Sequence, residues 1–301
     1  MESAIQTPIP AGSPSFDWRQ LLRDFYDLSK PGIGFYSLLT TATSFWLASH
    51  QFNLALFIQT MVATALVTCG GGALNQVLEI EADGQMRRTE NRPLPSGRVT
   101  LVAGLIFGVL TSIAGAIYMV EFVGALAGIL AIATLVGYLF VYTPLKKKTH
   151  LSTLIGAFPG AFPILIGWVA VRQSIGIEGW SLFAILFLWQ IPHFLAIAWM
   201  YRKDYARAGF PMLTVIDPEG GRAGFQALIY ALALIPVSLV PSLLRVTGPV
   251  YFAGALVLGI GFAIAAFRTA NSQTNTTAKQ LLFASIIYLP VLMALMAIDK
   301  M

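Results

Sequence analysis

The sequence has little cysteine and little charge, and each shortage excludes something. A single cysteine, Cys69, rules out an internal disulfide framework and any multi-cysteine metal site. Set in an apolar run, it reads as a small buried hydrophobe. Only 11% of the 301 residues are charged, where a soluble domain carries about 25%. Much of the surface must therefore face something other than water. Residues 1–15 (MESAIQTPIPAGSPS) lack the basic head and apolar core of a cleavable signal, and no Arg/Ser-rich transit peptide is visible. They read as a disordered polar tail.

What the chain has in quantity is apolar length. Hydrophobic residues make up 56% of it, and the mean hydropathy is +0.73. Nine runs are each long enough to cross a hydrocarbon core of roughly 30 Å as a helix. They fall at about 33–49, 54–74, 99–117, 120–141, 152–172, 180–200, 224–243, 248–267 and 280–298. Helices are the expected form, because unpaired backbone groups are costly in lipid and the runs lack β-barrel alternation. The predicted architecture is an all-α integral membrane bundle of nine spans. A cytoplasmic N-terminal segment, 1–30, is partly disordered, and a single membrane domain fills 31–301.

Basic residues fix the orientation. With the N-terminus inside, 16 of the 19 Lys and Arg lie on the cytoplasmic side, leaving Arg172, Arg245 and Lys300 opposite. The net charge of +5 thus needs no nucleic acid as a partner; the lipid bilayer is the expected one. The long, charged inner connections at 75–98 and 201–223 place function on the cytoplasmic face.

The stretch NQVLEIEADGQMRRTENRPLPSG, 75–97, carries the most chemistry. Asn75, Glu79 and Asp83 recur every four residues and share one face of a helix, with Glu81 on the other side. An amide and two carboxylates suit a hard divalent cation, and Arg87, Arg88 and Arg92 follow closely. Mg²⁺ bridging carboxylates to a diphosphate, with arginines on the remaining oxygens, would use this combination. A solvated loop of mixed charge is the plain alternative. Gly70 to Gly72, just before, would let a bulky group approach the backbone.

Three further features are weaker singly. Asp204 sits among Arg202, Lys203 and Arg207 in YRKDYARAGFPML. Lys146 to Lys148 in YTPLKKKTH are either a topology signal or part of a diphosphate site, and Pro144 is expected to end span four. His193, in WQIPHFLAIAW, is either satisfied by a neighbouring helix or acts as a ligand or proton carrier.

Together these strings resemble the UbiA-type superfamily of intramembrane prenyltransferases, and within it the branch that farnesylates heme. The likeness is carried by LSKPGI at 28–33, N-x3-E-x3-D at 75–83 with MRRTENRPLPSG at 86–97, and YTPLKKKT at 142–149. It continues through IGAFPGAFPILIGW at 155–168, PHFLAIAW at 192–199 and DYARAGFPML at 204–213. The resemblance implies a nine-span bundle with a cytoplasm-facing cavity, and the missing transit peptide points to a bacterial inner membrane. The resemblance also implies farnesyl diphosphate and heme b as substrates, Mg²⁺ as cofactor, and heme O and diphosphate as products. Asn75, Glu79 and Asp83 would hold Mg²⁺ on the diphosphate, and Arg87, Arg88, Arg92 and Lys146 would contact its oxygens. Asp204 matches the second acidic motif as a catalytic residue, Lys203 beside it joins the substrate-binding set, and His193 would lie near the heme. Heme A synthase and terminal oxidase assembly factors are the implied protein partners. Two departures bear on this: Glu79 and Glu81 stand where many members have Asp, and Ala208 removes the second acid of a D-x-x-x-D pair. The latter favours heme over 4-hydroxybenzoate. The competing readings are a relative acting on a quinone or chlorophyll-type precursor, a polytopic transporter, and a structural assembly subunit.

Overall fold

The structure is a computed structural model, and it describes residues 17–301. The expected polar tail, 1–15, lies outside the described residues. Within them the chain is helical throughout, without named strands. A short helix α1 (Trp18–Leu28) precedes α2 (Pro31–Ala48), α3 (Leu54–Leu78) and the one-and-a-half-turn α4 (Ile80–Gln85). α5 (Leu101–Phe122) and α6 (Ala125–Val136) follow; α6 runs through a π-helical stretch, Gly137–Tyr142, into α7 (Thr143–Leu145). Next come α8 (Ser152–Arg172), α9 (Gly176–Met200) and the short α10 (Arg202–Arg207) and α11 (Leu213–Ile216). The chain closes with α12 (Gly221–Leu243), α13 (Pro249–Asn271) and α14 (Asn275–Ile298).

Among the described residues, eight helical segments are long and apolar enough to cross a membrane, which makes this a multi-pass bundle. The first expected span, α2, has 18 residues but is less apolar, because Thr40, Thr41, Thr43 and Ser44 are turned into the bundle. Their hydroxyls are satisfied by backbone carbonyls, Thr41 Oγ1 donating to Pro163 O of α8 at 2.9 Å. α8 and α9 form the interior: 61% and 67% of their apolar windows are buried, against 22–39% in the other six. α2, α3, α5 and α6 pack around one side of this pair, and α12, α13 and α14 around the other.

The structure corrects several local expectations. The connection after span three is not at 118–119 but at Val123–Gly124, where Gly124 takes a φ of 142° that residues with a side chain rarely adopt. Span four ends at Leu145, one residue after Pro144. The π-helical stretch, in which the Thr143 N–H donates to Tyr138 O, shifts the register so that the helix runs on to Leu145. Gly70 to Gly72 admit protein, not a substrate. A Cβ at Gly70 would meet Ser112 of α5, and one at Gly72 would stand 2.9 Å from Ser29 O. Cys69 is half-buried rather than buried. Residues 18–28, which follow the expected disordered tail, form α1. That helix is capped by Asp17 and held by Gln76, whose Nε2 donates to Asp27 O at 3.1 Å and Leu28 O at 2.9 Å.

Candidate active site

One end of the bundle gathers the C-termini of α3, α6–α7 and α9, the start of α2 and the start of α14. α3 kinks at Glu79 (φ −106°, ψ 12°), and α4 continues at a new angle. Hydrogen bonds from Glu79 N to Asn75 O (3.0 Å) and Asp83 N to Glu79 O (2.8 Å) carry the four-residue register across the kink. Asn75, Glu79 and Asp83 therefore share one buried stripe, each 3% exposed or less, while Glu81 faces outward.

Each member of the stripe meets its own cation. Lys146 donates to both oxygens of Glu79 at 3.0 Å. Arg92 reaches Asp83 Oδ2 at 2.6 Å. Lys30 donates to Asn75 Oδ1, and lies 3.3 Å from the Tyr138 hydroxyl. The Asn75 amide is oriented by the Thr143 hydroxyl, which accepts from Nδ2 at 2.8 Å. Of the three consecutive lysines, Lys146 alone turns inward; Lys147 and Lys148 are exposed.

Electrostatics separate these groups. Burial works against the Glu79 carboxylate, yet Lys146, Lys30 and Arg92 hold its pKa below the ordinary value. Burial likewise opposes the Lys146 charge, but Tyr142 and Glu79 hold that ammonium above its usual range. Lys30 faces a neutral amide, so burial dominates and brings it down to about 7.

The second polar segment packs on the first. Tyr205 and Phe210 join Ala82 and Met86 of the first segment in one small apolar cluster. The Tyr205 hydroxyl accepts from Arg88 at 2.9 Å, and Lys146 Nζ stands 4.5 Å from the Phe210 ring centroid. Asp204, nearly buried, pairs with Arg207 on its own helix, while Arg87 and Lys203 are exposed. His193 is not part of this constellation. It lies seven residues before Met200, about 10 Å along the helix at 1.5 Å per residue. Its Nδ1 is 2.7 Å from Ser285 Oγ, and its ring stacks on Trp189 with centroids 4.9 Å apart.

Sequence reasoning missed Lys30, Tyr138, Thr143 and Tyr205. The LSKPGI string contained the signal for Lys30: a residue directly before a helix-opening proline, held here at a left-handed φ of 53°. No group of three or more His, Cys, Asp or Glu able to hold a metal alone occurs among the described residues. The oxygens of the stripe are nevertheless hard donors, each already facing positive charge, and so fit a cation whose remaining ligands come from a phosphate.

Residues 37–287 match the UbiA prenyltransferase family, and the chain belongs to it. Among its relatives is a protoheme IX farnesyltransferase of Solibacter usitatus (strain Ellin6076), 44% identical over 93% of this chain and 99% of the relative. Another, of Koribacter versatilis (strain Ellin345), carries the same name and is 40% identical over 99% of both chains. The fold is shared with a digeranylgeranylglyceryl phosphate synthase structure (TM-score 0.78, 17% identity, 93% of this chain and 98% of that one). It is also shared with a UbiA homolog from Archaeoglobus fulgidus bound to GPP and Mg²⁺ (TM-score 0.67, 12% identity, 91% and 99% covered).

Proposed function

We propose that this chain transfers the farnesyl group of farnesyl diphosphate to a vinyl group of heme b, giving heme O and diphosphate. The observation that carries the site assignment is the stripe Asn75–Glu79–Asp83, with a cation seated on each member. The acceptor rests on the relatives that share 40% or more of the sequence over nearly the whole chain.

Asn75, Glu79 and Asp83 would hold Mg²⁺ against the diphosphate. When bound, Mg²⁺ supplies neutralisation of the charge that develops on the leaving group. Lys30, Lys146, Arg88 and Arg92 are placed to turn from their present partners toward the diphosphate oxygens, where their charge counts most as the bond breaks. The C1–O bond of farnesyl diphosphate breaks with its electron pair on oxygen, and the heme vinyl group attacks the allylic cation. Water then adds to the cation left on the porphyrin side arm and loses a proton, giving a hydroxyethylfarnesyl group. No side chain forms a covalent bond. The apolar interior around α8 and α9 keeps bulk water from the allylic cation, and His193, two turns inside, would lie beside the macrocycle. The site end faces the cytoplasm by the distribution of Lys and Arg.

Replacing Glu79 or Asp83 by Ala in membranes that hold heme b tests the assignment. Heme O formation should fall by at least about a hundredfold, the scale for losing one transition-state contact. Full activity in both variants would remove the stripe from the reaction.

A further inference from the structure

Lys30, seated on Asn75, is reached through α1, and the bundle leaves one side of that helix uncovered. At about 100° per residue, the sequence WRQLLRDFYDL divides α1 lengthwise into faces of different character. One face is fixed to the protein. Asp24, buried, accepts from Arg98 Nε at 2.9 Å, and Leu28 is packed with Ala73 and Leu94. Phe25 meets Phe107 of α5 edge-on, with ring centroids 5.0 Å apart. Beside this face Trp18, Leu22 and Tyr26 recur every four residues as a row of apolar side chains, 57%, 61% and 64% exposed. Arg19 and Arg23 form the far edge of that row. Both are exposed, and neither has an ion-pair partner among the described residues. Gln20 and Asp27 occupy the remaining face.

A row of large apolar side chains is costly in water, and its surroundings say what covers it. α5, against which Phe25 packs, is the least buried of the eight membrane-crossing segments, and it exposes Leu105 and Ile106 just before Phe107. The row on α1 therefore prolongs a surface that faces hydrocarbon. α1 also ends where α2 begins: α2 opens at Pro31 and exposes Ile33 and Phe35 within its first two turns. That puts α1 at the level of the lipid headgroups, where Trp and Tyr concentrate. The order of its faces suits that level, with protein on one side and acyl chains against the apolar row. Arg19 and Arg23, at the edge, can lay their stems along apolar surface and bring their guanidinium groups to phosphates. Arg19 already stands over the Trp18 ring, 5.5 Å from its centroid.

We infer that α1 is an interfacial helix, seated in the phospholipid leaflet at the site end of the bundle by Trp18, Leu22 and Tyr26, with Arg19 and Arg23 on the lipid phosphates. This seating does not depend on which acceptor the enzyme uses. The test places the full chain, with Cys69→Ser to remove its single thiol, in vesicles of phosphatidylcholine and phosphatidylglycerol. A nitroxide is attached through Leu22→Cys or Gln20→Cys. Electron paramagnetic resonance then compares collisions with oxygen, which concentrates in lipid, and with a water-soluble nickel chelate. The oxygen-to-nickel ratio should be higher for the label at 22 than for the label at 20 by roughly threefold or more. Arg19→Glu/Arg23→Glu should lower the value at 22 toward that at 20. Equal ratios at the two positions would overturn the inference by placing the row in water. So would loss of both kinds of collision at 22 with spin–spin broadening between chains, since a second copy would then cover the row. An unchanged ratio in the arginine variant would overturn the part given to Arg19 and Arg23.

Discussion

Lys146 is buried and Lys30 half-buried beside the same helical stripe, yet their surroundings drive the two ammonium groups in opposite directions. Lys146 faces a carboxylate with both oxygens at 3.0 Å and is held charged. Lys30 faces an amide and is brought down to about 7 by burial. A diphosphate would give Lys30 the anionic partner it lacks, so Lys30→Met should weaken farnesyl diphosphate use. A hydrogen bond to a charged group is worth about 1.5–3 kcal/mol, which corresponds to a loss of roughly tenfold to a hundredfold in kcat/KM. Steady-state kinetics with varied farnesyl diphosphate measure this; an unchanged kcat/KM would place Lys30 outside the site. The stripe itself was legible in the sequence, because four-residue spacing survives the kink at Glu79. Lys30 was not, since 45 positions and a left-handed turn separate it from Asn75. Nor was Tyr205, whose part depends on how the 201–213 segment folds back over α4.

At the scale of elements, the fit of α3 against α5 fixes where the stripe begins. A Cβ at Gly108 of α5 would stand 2.7 Å from Leu74, the residue before Asn75. Such close approach through small residues is how helices pack where no hydrophobic drive exists between them. Gly108→Val should destabilise the bundle by about 1–3 kcal/mol, the range for overpacking, and lower the melting temperature in detergent. Gly261→Ala on α13, whose added carbon meets nothing within 4 Å, should not lower it and should raise it slightly, because alanine favours a helix interior over glycine. Equal melting temperatures for the two variants would contradict the packing described. Hydropathy located the helices but misplaced some of their ends: the turn at Gly124 and the π-helical stretch at Gly137–Tyr142 are set by backbone conformations that an apolar window does not register.

Across the whole molecule, charge and apolar burial are segregated. The most buried helices, α8 and α9, provide a dry interior. The polar ends of α3, α6–α7 and α9 meet at one end of it and bring residues from 30 to 207 into one constellation. An allylic diphosphate suits this division, with its anionic head among the cations and its hydrocarbon tail within the bundle. Basic-residue bias and long apolar runs made that division visible in the sequence. The pocket that Arg87, Lys203 and Asn275 line together was not visible, because they come from three separate segments. The most direct measurement incubates the purified protein with Mg²⁺, farnesyl diphosphate and either heme b or 4-hydroxybenzoate, and reads the products by mass spectrometry. Heme O from heme b, with no prenylated 4-hydroxybenzoate, is the expected result. Prenylated 4-hydroxybenzoate with heme b left unmodified would contradict it.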